Sequence, residues 1–409
     1  MSHAIPLDPA PRRVRQGSEM AALRALHRHG RLSRADLARV LGLNRSSSGH
    51  IVTALAAEGL VREVADGGEG AARAGRAQDG VGPGGRGRAG RPGILLELRP
   101  DAVFFAGVEI GVEHISFVAV DLSATVIARR LEAFDAPAAG LEAAFRTAAR
   151  LAGEALPADG WARCEGFGIA IPAQMERSGR VRNAPLLGWR DVHPAALMRA
   201  HLPASVPVVA ENDANAFAIG DAYGRDAARP GVTLALVLET GVGGGILVDG
   251  TLFRGGHGLA GEIGHLLLPE AAGAPRRLEE LVGLEGILSA YRAAAPEGAA
   301  TLAGFLGEVK DRAPGAVAIA EGWARAMAFG LAQGCRLVDP DQIVLGGSLA
   351  ALYPLVGARV AAHWARIQDP GFPLPGIVVN ADPTFGAAFG AACILHQRFL
   401  AGEAEPAGA

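Results

Sequence analysis

The chain has 409 residues, half of them hydrophobic, with a formal charge of −3 and three cysteines. That length suffices for two or three domains with real cores, while no apolar run reaches the roughly 18 residues of a membrane span and the arginine-rich start lacks the apolar stretch of a signal peptide, so a cytoplasmic protein without membrane partners is expected. Cys164, Cys335 and Cys393 are scattered and odd in number, which suits a reducing compartment and excludes a paired-cysteine metal knuckle.

Charge is divided unevenly along the chain. Residues 1–93 carry 15 arginines against eight acids, whereas the remainder carries 24 basic and 34 acidic residues. Arginine bias accounts for Lys310 being the only lysine, but not for the asymmetry; a basic head on an acidic body points to a nucleic-acid partner for the head.

In chain order, Met20, Leu23 and Leu26 give Ser18–His29 a helical stripe. Ser33 can cap a second helix with Leu37, Val40 and Leu41 on its buried face; Gly42 breaks it, and Asn44 can cap a third whose core stripe is Ile51, Leu55 and Leu60. Two short helices joined by a glycine turn describe a helix-turn-helix. The third begins Asn44-Arg45-Ser46-Ser47-Ser48-Gly49-His50, a run of small polar donors fit for a recognition helix. Arg34, Asn44, Arg45, Ser46, Ser47, Ser48 and His50 are the expected DNA contacts there, and Gly49 costs the helix about 1 kcal/mol. Residues 65–93, rich in Gly, Ala and Arg, read as a flexible linker or an extended wing. They end in Arg86-Gly87-Arg88-Ala89-Gly90-Arg91-Pro92, where Arg91 suits a minor-groove hook.

From Val103 onward apolar strands alternate with glycine turns. Glu109-Ile110-Gly111-Val112, then an apolar run closing on Asp121, matches Glu239-Thr240-Gly241-Val242 and a run closing on Asp249. Two lobes that each offer a glycine turn to a shared cleft account for the repeat. Between them, Val206–Ala210 reads as a buried strand with Glu211-Asn212-Asp213 at its C-terminal edge, where open α/β sheets place ligand groups. Asp213 can accept a proton from a sugar hydroxyl beside Asn212; capping of the following helix is the competing role. Thr240–His265 packs glycines Gly241, Gly243 and Gly244 ahead of Glu262 and His265, and Gly346-Gly347 leads a strand into a helix.

The segment Ser33–Val61 resembles bacterial winged-helix repressors. The order of winged helix, glycine hairpin, E-N-D-A-N, T-G-V-G-G-G, G-E-I-G-H and V-L-G-G-S resembles the ROK family of repressors, open reading frames and sugar kinases. The resemblance implies an N-terminal winged-helix domain followed by two actin-like, ribonuclease-H-type α/β lobes with a sugar cleft between them. It implies sugar contacts from Asn212, Asp213, Glu262, His265 and Glu279, with Glu280 and Glu285 competing for the last position. The corresponding domains are 1–64 for the head, 65–93 for linker or wing, 94–222 for the first lobe and 223–400 for the second.

The departures decide the expected function. Kinases of this family carry D-x-G-G/A-T in the first hairpin, whereas this chain has Glu109, Val112 and Glu113, and Glu239 stands where kinases have glycine. Two unit charges about 4 Å apart repel by roughly 4 kcal/mol at an effective dielectric of 20, a poor cradle for phosphoryl transfer. The family's zinc knuckle is also missing, since no cysteine lies between Leu266 and Glu285; no cofactor is expected, and Leu278, Leu281, Val282 and Leu284 must hold the loop that places Glu279. The expectation is therefore a non-enzymatic, sugar-responsive regulator, a repressor that binds operator DNA as a dimer or tetramer and a free sugar in the cleft. The alternative is an ATP- and Mg²⁺-dependent hexokinase with a regulatory head, using Asp213 as base and Gly241, Gly243, Gly244, Gly346 and Gly347 around the nucleotide.

Overall fold

The computed structural model describes residues 17–65, 94–156, 160–224, 231–269, 274–294, 300–380, 382 and 384–402. The chain divides into two compact units, the first comprising residues up to Phe104 with 121–125 and 397–404, the second the remainder.

In the first unit, helices α1 (Gly17–His29), α2 (Arg34–Leu41) and α3 (Arg45–Ala57) combine with short strands β1 (Arg31–Ser33), β2 (Val61–Ala65) and β3 (Ile94–Leu98). Local chemistry sets the helix limits. Ser33 accepts the Asp36 N–H at 3.1 Å to start α2, Gly42 at φ 64° ends it, and Asn44 accepts the Ser47 N–H at 2.8 Å to start α3. Leu23, Leu26, Leu37, Val52, Leu55 and Leu60 are almost wholly buried and form the core. The sheet order is β1-β3-β2, with Ala65 opposite Ile94. Ile94–Leu98, expected to open the first lobe, thus completes the head's sheet instead, and the head extends beyond residue 64. Residues 66–93, expected as a linker or a wing, lie outside the described residues. Arg91 lies outside the described residues.

The second unit holds two five-stranded sheets of the same order. In the first lobe β4 (Phe104–Ile110), β5 (His114–Asp121), β6 (Val126–Ala133), β7 (Cys164–Ile171) and, after a small sheet of β8 (Gln174–Met175), β9 (Val181–Ala184) and β10 (Trp189–Val192), β11 (Val208–Asn212) assemble as β11-β7-β4-β5-β6. In the second lobe β12 (Val232–Leu238), β13 (Val242–Val248), β14 (Thr251–Leu252), β17 (Gln342–Gly346) and β18 (Gly376–Val379) assemble as β14-β13-β12-β17-β18. A short ladder of β15 (Leu267–Leu268) and β16 (Arg276–Arg277) lies between them in sequence. Read from each lobe's first strand, the orders coincide, so the repeat seen in the hairpins extends to the whole sheets.

Two helices depart from the expected lobe boundaries. The helix Asp213–Gly224 continues from β11 but packs on β12 and β13 of the second sheet. The helix Gly386–Ala401 follows β18 but lies on the first sheet, where a Cβ at Gly107 of β4 or at Gly168 of β7 would stand 2.1 Å from the Ala388 or Ala391 carbonyl oxygen. The two helices also meet each other backbone to backbone, since a Cβ at Gly390 would stand 1.7 Å from the Ala216 oxygen. Cut points at 222/223 and 400 are therefore boundaries of sequence, not of packing.

Candidate ligand cleft and nucleic-acid interface

The register Leu238↔Val242 makes Glu239–Gly241 the turn of the second hairpin, closed by the Glu239 N–H on the Gly241 oxygen at 3.0 Å. Gly243, Gly244 and Gly245 lie in β13 itself. A Cβ on Gly243 would stand 2.8 Å from the Ala214 Cβ, one on Gly245 2.8 Å from the Ala214 oxygen, and one on Gly244 2.3 Å from the Gly261 oxygen. Gly244 and Gly245 are required where one backbone meets another, and Gly243 where β13 meets the Ala214 methyl. The same contact fixes the segment carrying Glu262 and His265. Gly261, at φ 95°, and Gly264, whose Cβ would stand 2.1 Å from the Val242 oxygen, press it onto β13.

The five expected sugar ligands, Asn212, Asp213, Glu262, His265 and Glu279, line one cavity of about 820 Å³ together with both hairpin turns. His265 stands between two carboxylates, with Nδ1 3.5 Å from Glu262 and Nε2 3.5 Å from Glu279. All three competing glutamates line the cavity and pair with an arginine, Glu279 with Arg277, Glu280 with Arg276 and Glu285 with Arg292, but it is Glu279 that lies beside His265. Where the family's knuckle would lie, the β15–β16 ladder and the Leu278 N–H to Leu266 oxygen bond (2.8 Å) bring Glu279 up to His265. Leu278 and Val282 are buried beneath it, and Trp323 Nε1 donates to the Val282 oxygen at 3.0 Å.

Asn212 also caps: its Oδ1 accepts the Asn215 N–H at 3.0 Å, and its Nδ2 donates to the Ala173 oxygen at 3.0 Å. Asp213 Oδ1 accepts the Ala214 N–H at 2.8 Å. Burial, and then the charge of Glu109, push the Asp213 carboxyl up to about 7. Burial likewise raises Glu262, opposed by the neighbouring His265.

The other half of the cavity differs in character. Strands β12 and β17 are parallel neighbours with Val237 opposite Gly346, so Glu239 and Ser348 leave adjacent strand ends. The Ser348 N–H and hydroxyl both donate to the Glu239 carboxylate, at 2.5 and 2.7 Å. A carboxylate of the chain itself thus occupies both of these donors. Gly346 and Gly347, expected around a nucleotide, are held by packing as well: a Cβ would stand 2.2 Å from the Phe217 ring and 2.4 Å from the Leu238 oxygen respectively. Among the described residues no group of three His, Cys, Asp or Glu is placed to hold a metal ion.

In the first hairpin Glu113 is exposed at the edge of the same cavity. The inward carboxylate is Glu109, which accepts from Ser116 Oγ at 3.2 Å and lies 3.6 Å from His114 Nε2. That glutamate raises the His114 imidazole above its ordinary value, against the effect of burial. His114, Ser348 and Gln174, which bonds Glu262, were not singled out from sequence. Each owes its place to a fold contact that no local pattern announces.

On the head, Arg45, Ser46, His50 and Thr53 are exposed along one side of α3, with Gly49 half-buried between them. Ser48, expected to touch DNA, is 2% exposed and belongs with Ile51, Val52 and Leu55 on the core side; its hydroxyl has no partner. Arg34, also expected on DNA, forms an ion pair with Glu63 at 2.6 Å and stays half exposed. Arg31 and Arg62 are similarly engaged by Glu97. The Asn44 Oδ1 is engaged in its cap.

The profile of the ROK family matches residues 105–398, and that of the MarR family residues 16–71. The xylose repressor of Bacillus spizizenii is 25% identical over 258 residues, which make up 62% of this chain and 61% of that protein. A ROK family glucokinase from Streptomyces griseus, crystallised with glucose and AMPPNP, superposes with a TM-score of 0.62 at 25% identity, covering 72% of this chain and 99% of its own. A ROK family transcriptional regulator homologous to the E. coli MLC protein superposes with a TM-score of 0.72 at 18% identity, covering 94% and 97% of the two chains, a likeness of fold. No helix among the described residues is long and apolar enough to cross a membrane.

Proposed function

The chain belongs to the ROK family, and on that premise we propose that it is a sugar-responsive transcriptional repressor. The head binds operator DNA through the exposed side of α3, where Arg45, Ser46, Ser47 and His50 reach bases or phosphates. Because a palindromic operator offers two half-sites, the protein acts as a homo-oligomer, at least a dimer. A free sugar held by Asn212, Asp213, Glu262, His265 and Glu279 binds one arrangement of the lobes more tightly than another and so shifts operator affinity. The xylose-repressor relative and the MarR-type head support this reading.

One observation carries the choice of regulator over kinase. The Glu239 carboxylate is bound to both Ser348 donors, a fixed anion on the side the kinase reading gives to phosphate, while Asn212, Asp213, Glu262, His265 and Glu279 line the same cavity. A second reading, an ATP-dependent hexokinase with a regulatory head, draws on Asp213, whose carboxyl near 7 suits a general base at neutral pH. Gel retardation on the DNA upstream of the protein's own gene, with and without D-xylose, D-glucose or N-acetylglucosamine, tests the proposal. Retardation that changes with one sugar is expected. Turnover of ATP with an aldose, abolished in Asp213→Asn, would replace the repressor by the kinase.

A further inference from the structure

Glu211, at the end of β11, is only 7% exposed. Its Oε1 accepts both the Asn212 N–H at 3.1 Å and the Asn215 Nδ2–H at 3.0 Å, so one oxygen fixes the two asparagines of the E-N-D-A-N turn. Its other oxygen is held by the Arg254 guanidinium at 2.5 Å. Arg254 comes from the opposite lobe, on the segment 253–262 that leads from β14 to Glu262. A buried carboxylate is costly unless paired, so the geometry of the first-lobe turn depends on a cation supplied by the second.

Three further contacts tie that segment to the first lobe. The Gly255 oxygen accepts from Arg177 Nε at 3.0 Å. Gly258, at φ 89°, lies so close that a Cβ would stand 2.6 Å from the Met175 oxygen, and Glu262 bonds Gln174. Arg254 does not itself line the cavity, so its removal takes away no ligand contact.

We propose that Arg254 is a positioning residue: through Glu211 it aligns Asn212 and Asp213 in one lobe with Glu262 and His265 in the other, and a sugar reads both halves through this ion pair. The proposal rests on the reading of the cleft as a sugar site.

The test uses the full chain as wild type, Arg254→Met and Arg254→Lys, with two readouts. Calorimetry with D-xylose, D-glucose and N-acetylglucosamine is expected to show at least ten-fold weaker binding in Arg254→Met and partial recovery in Arg254→Lys, which keeps the charge. Hydrogen exchange without sugar is expected to show protection lost together at 211–216 and 254–262 in Arg254→Met, with Leu141–Ala155 unchanged. Unaltered sugar affinity, loss of protection confined to 254–262, or loss spread equally over Leu141–Ala155 would each overturn the positioning role. If the wild type takes up none of D-xylose, D-glucose and N-acetylglucosamine, the sugar reading of the cleft fails, and the exchange pattern alone decides whether the two segments are tied.

Discussion

The Glu239 carboxylate and Ser348 are joined by two hydrogen bonds, 2.5 Å from the serine N–H and 2.7 Å from its hydroxyl. They clasp the ends of parallel strands β12 and β17, and the anion they place there belongs to the chain. Glu239→Gly removes it and frees both donors. Binding of Mg²⁺–ADP, measured by calorimetry, is expected to strengthen at least ten-fold over wild type. Equal affinities in the two proteins would show that the clasp is not what keeps nucleotide out.

Asp213 links pH to stability. Its folded-state carboxyl lies near 7, above the ordinary 3.8, because of burial and then of Glu109. Its contribution is complete below about pH 4 and is lost as pH rises through 7. Asp213→Asn cannot titrate, so between pH 5 and pH 8 it is expected to lose less stability than wild type, by on the order of 2 kcal/mol. Denaturant unfolding at both pH values measures this, and identical slopes would remove Asp213 as a proton-linked group.

Ser48 and Arg45 are three residues apart on α3 and should respond oppositely. The Ser48 hydroxyl is buried without a partner, so Ser48→Ala is expected to stabilise the head by about 1 kcal/mol and leave DNA affinity intact. Arg45→Ala is expected to leave the melting temperature within a degree or two while weakening DNA binding and lowering its salt slope by about 1. Fluorescence anisotropy at several salt concentrations reads the second effect. A DNA defect in Ser48→Ala would contradict its core placement.

Gly346→Ala separates packing from ligand binding. The new Cβ would meet the Phe217 ring at 2.2 Å, and overpacking of this kind costs about 1–3 kcal/mol. The loss is expected in the protein without any nucleotide, as a lowered unfolding midpoint. An unchanged midpoint would return Gly346 to the nucleotide reading.

Local patterns carried much of this architecture. The head helices, their caps at Ser33 and Asn44, and the doubled hairpin all follow from short-range periodicity and turn chemistry. Ser48 was legible too: it lies three residues before Ile51 and four before Val52, on the same helical face, but its polarity suggested the surface. The placement of β3 was hidden because residues 66–93 separate it from its partner strand. Which sheet a helix covers is also a long-range matter, as Asp213–Gly224 and Gly386–Ala401 demonstrate. In the cleft, the residues on the motifs were identifiable, whereas Gln174, Ser348 and Arg254 gain meaning only from what the fold sets beside them.

The crossing of those two helices has a consequence for how the molecule can be divided. Each sheet is roofed by a helix that the chain delivers from the other lobe, and the small faces of Ala216, Ala387 and Ala391 close around Ala170 where the deliveries pass. A fragment ending at 222 would carry a helix made for a sheet it lacks, and one beginning at 223 would expose the glycines of β13. The two copies of the strand pattern are thus mutual lodgers. A proteolytic nick between them is expected to leave one assembled body, and either copy expressed alone is expected to lack the surface its helix was made for.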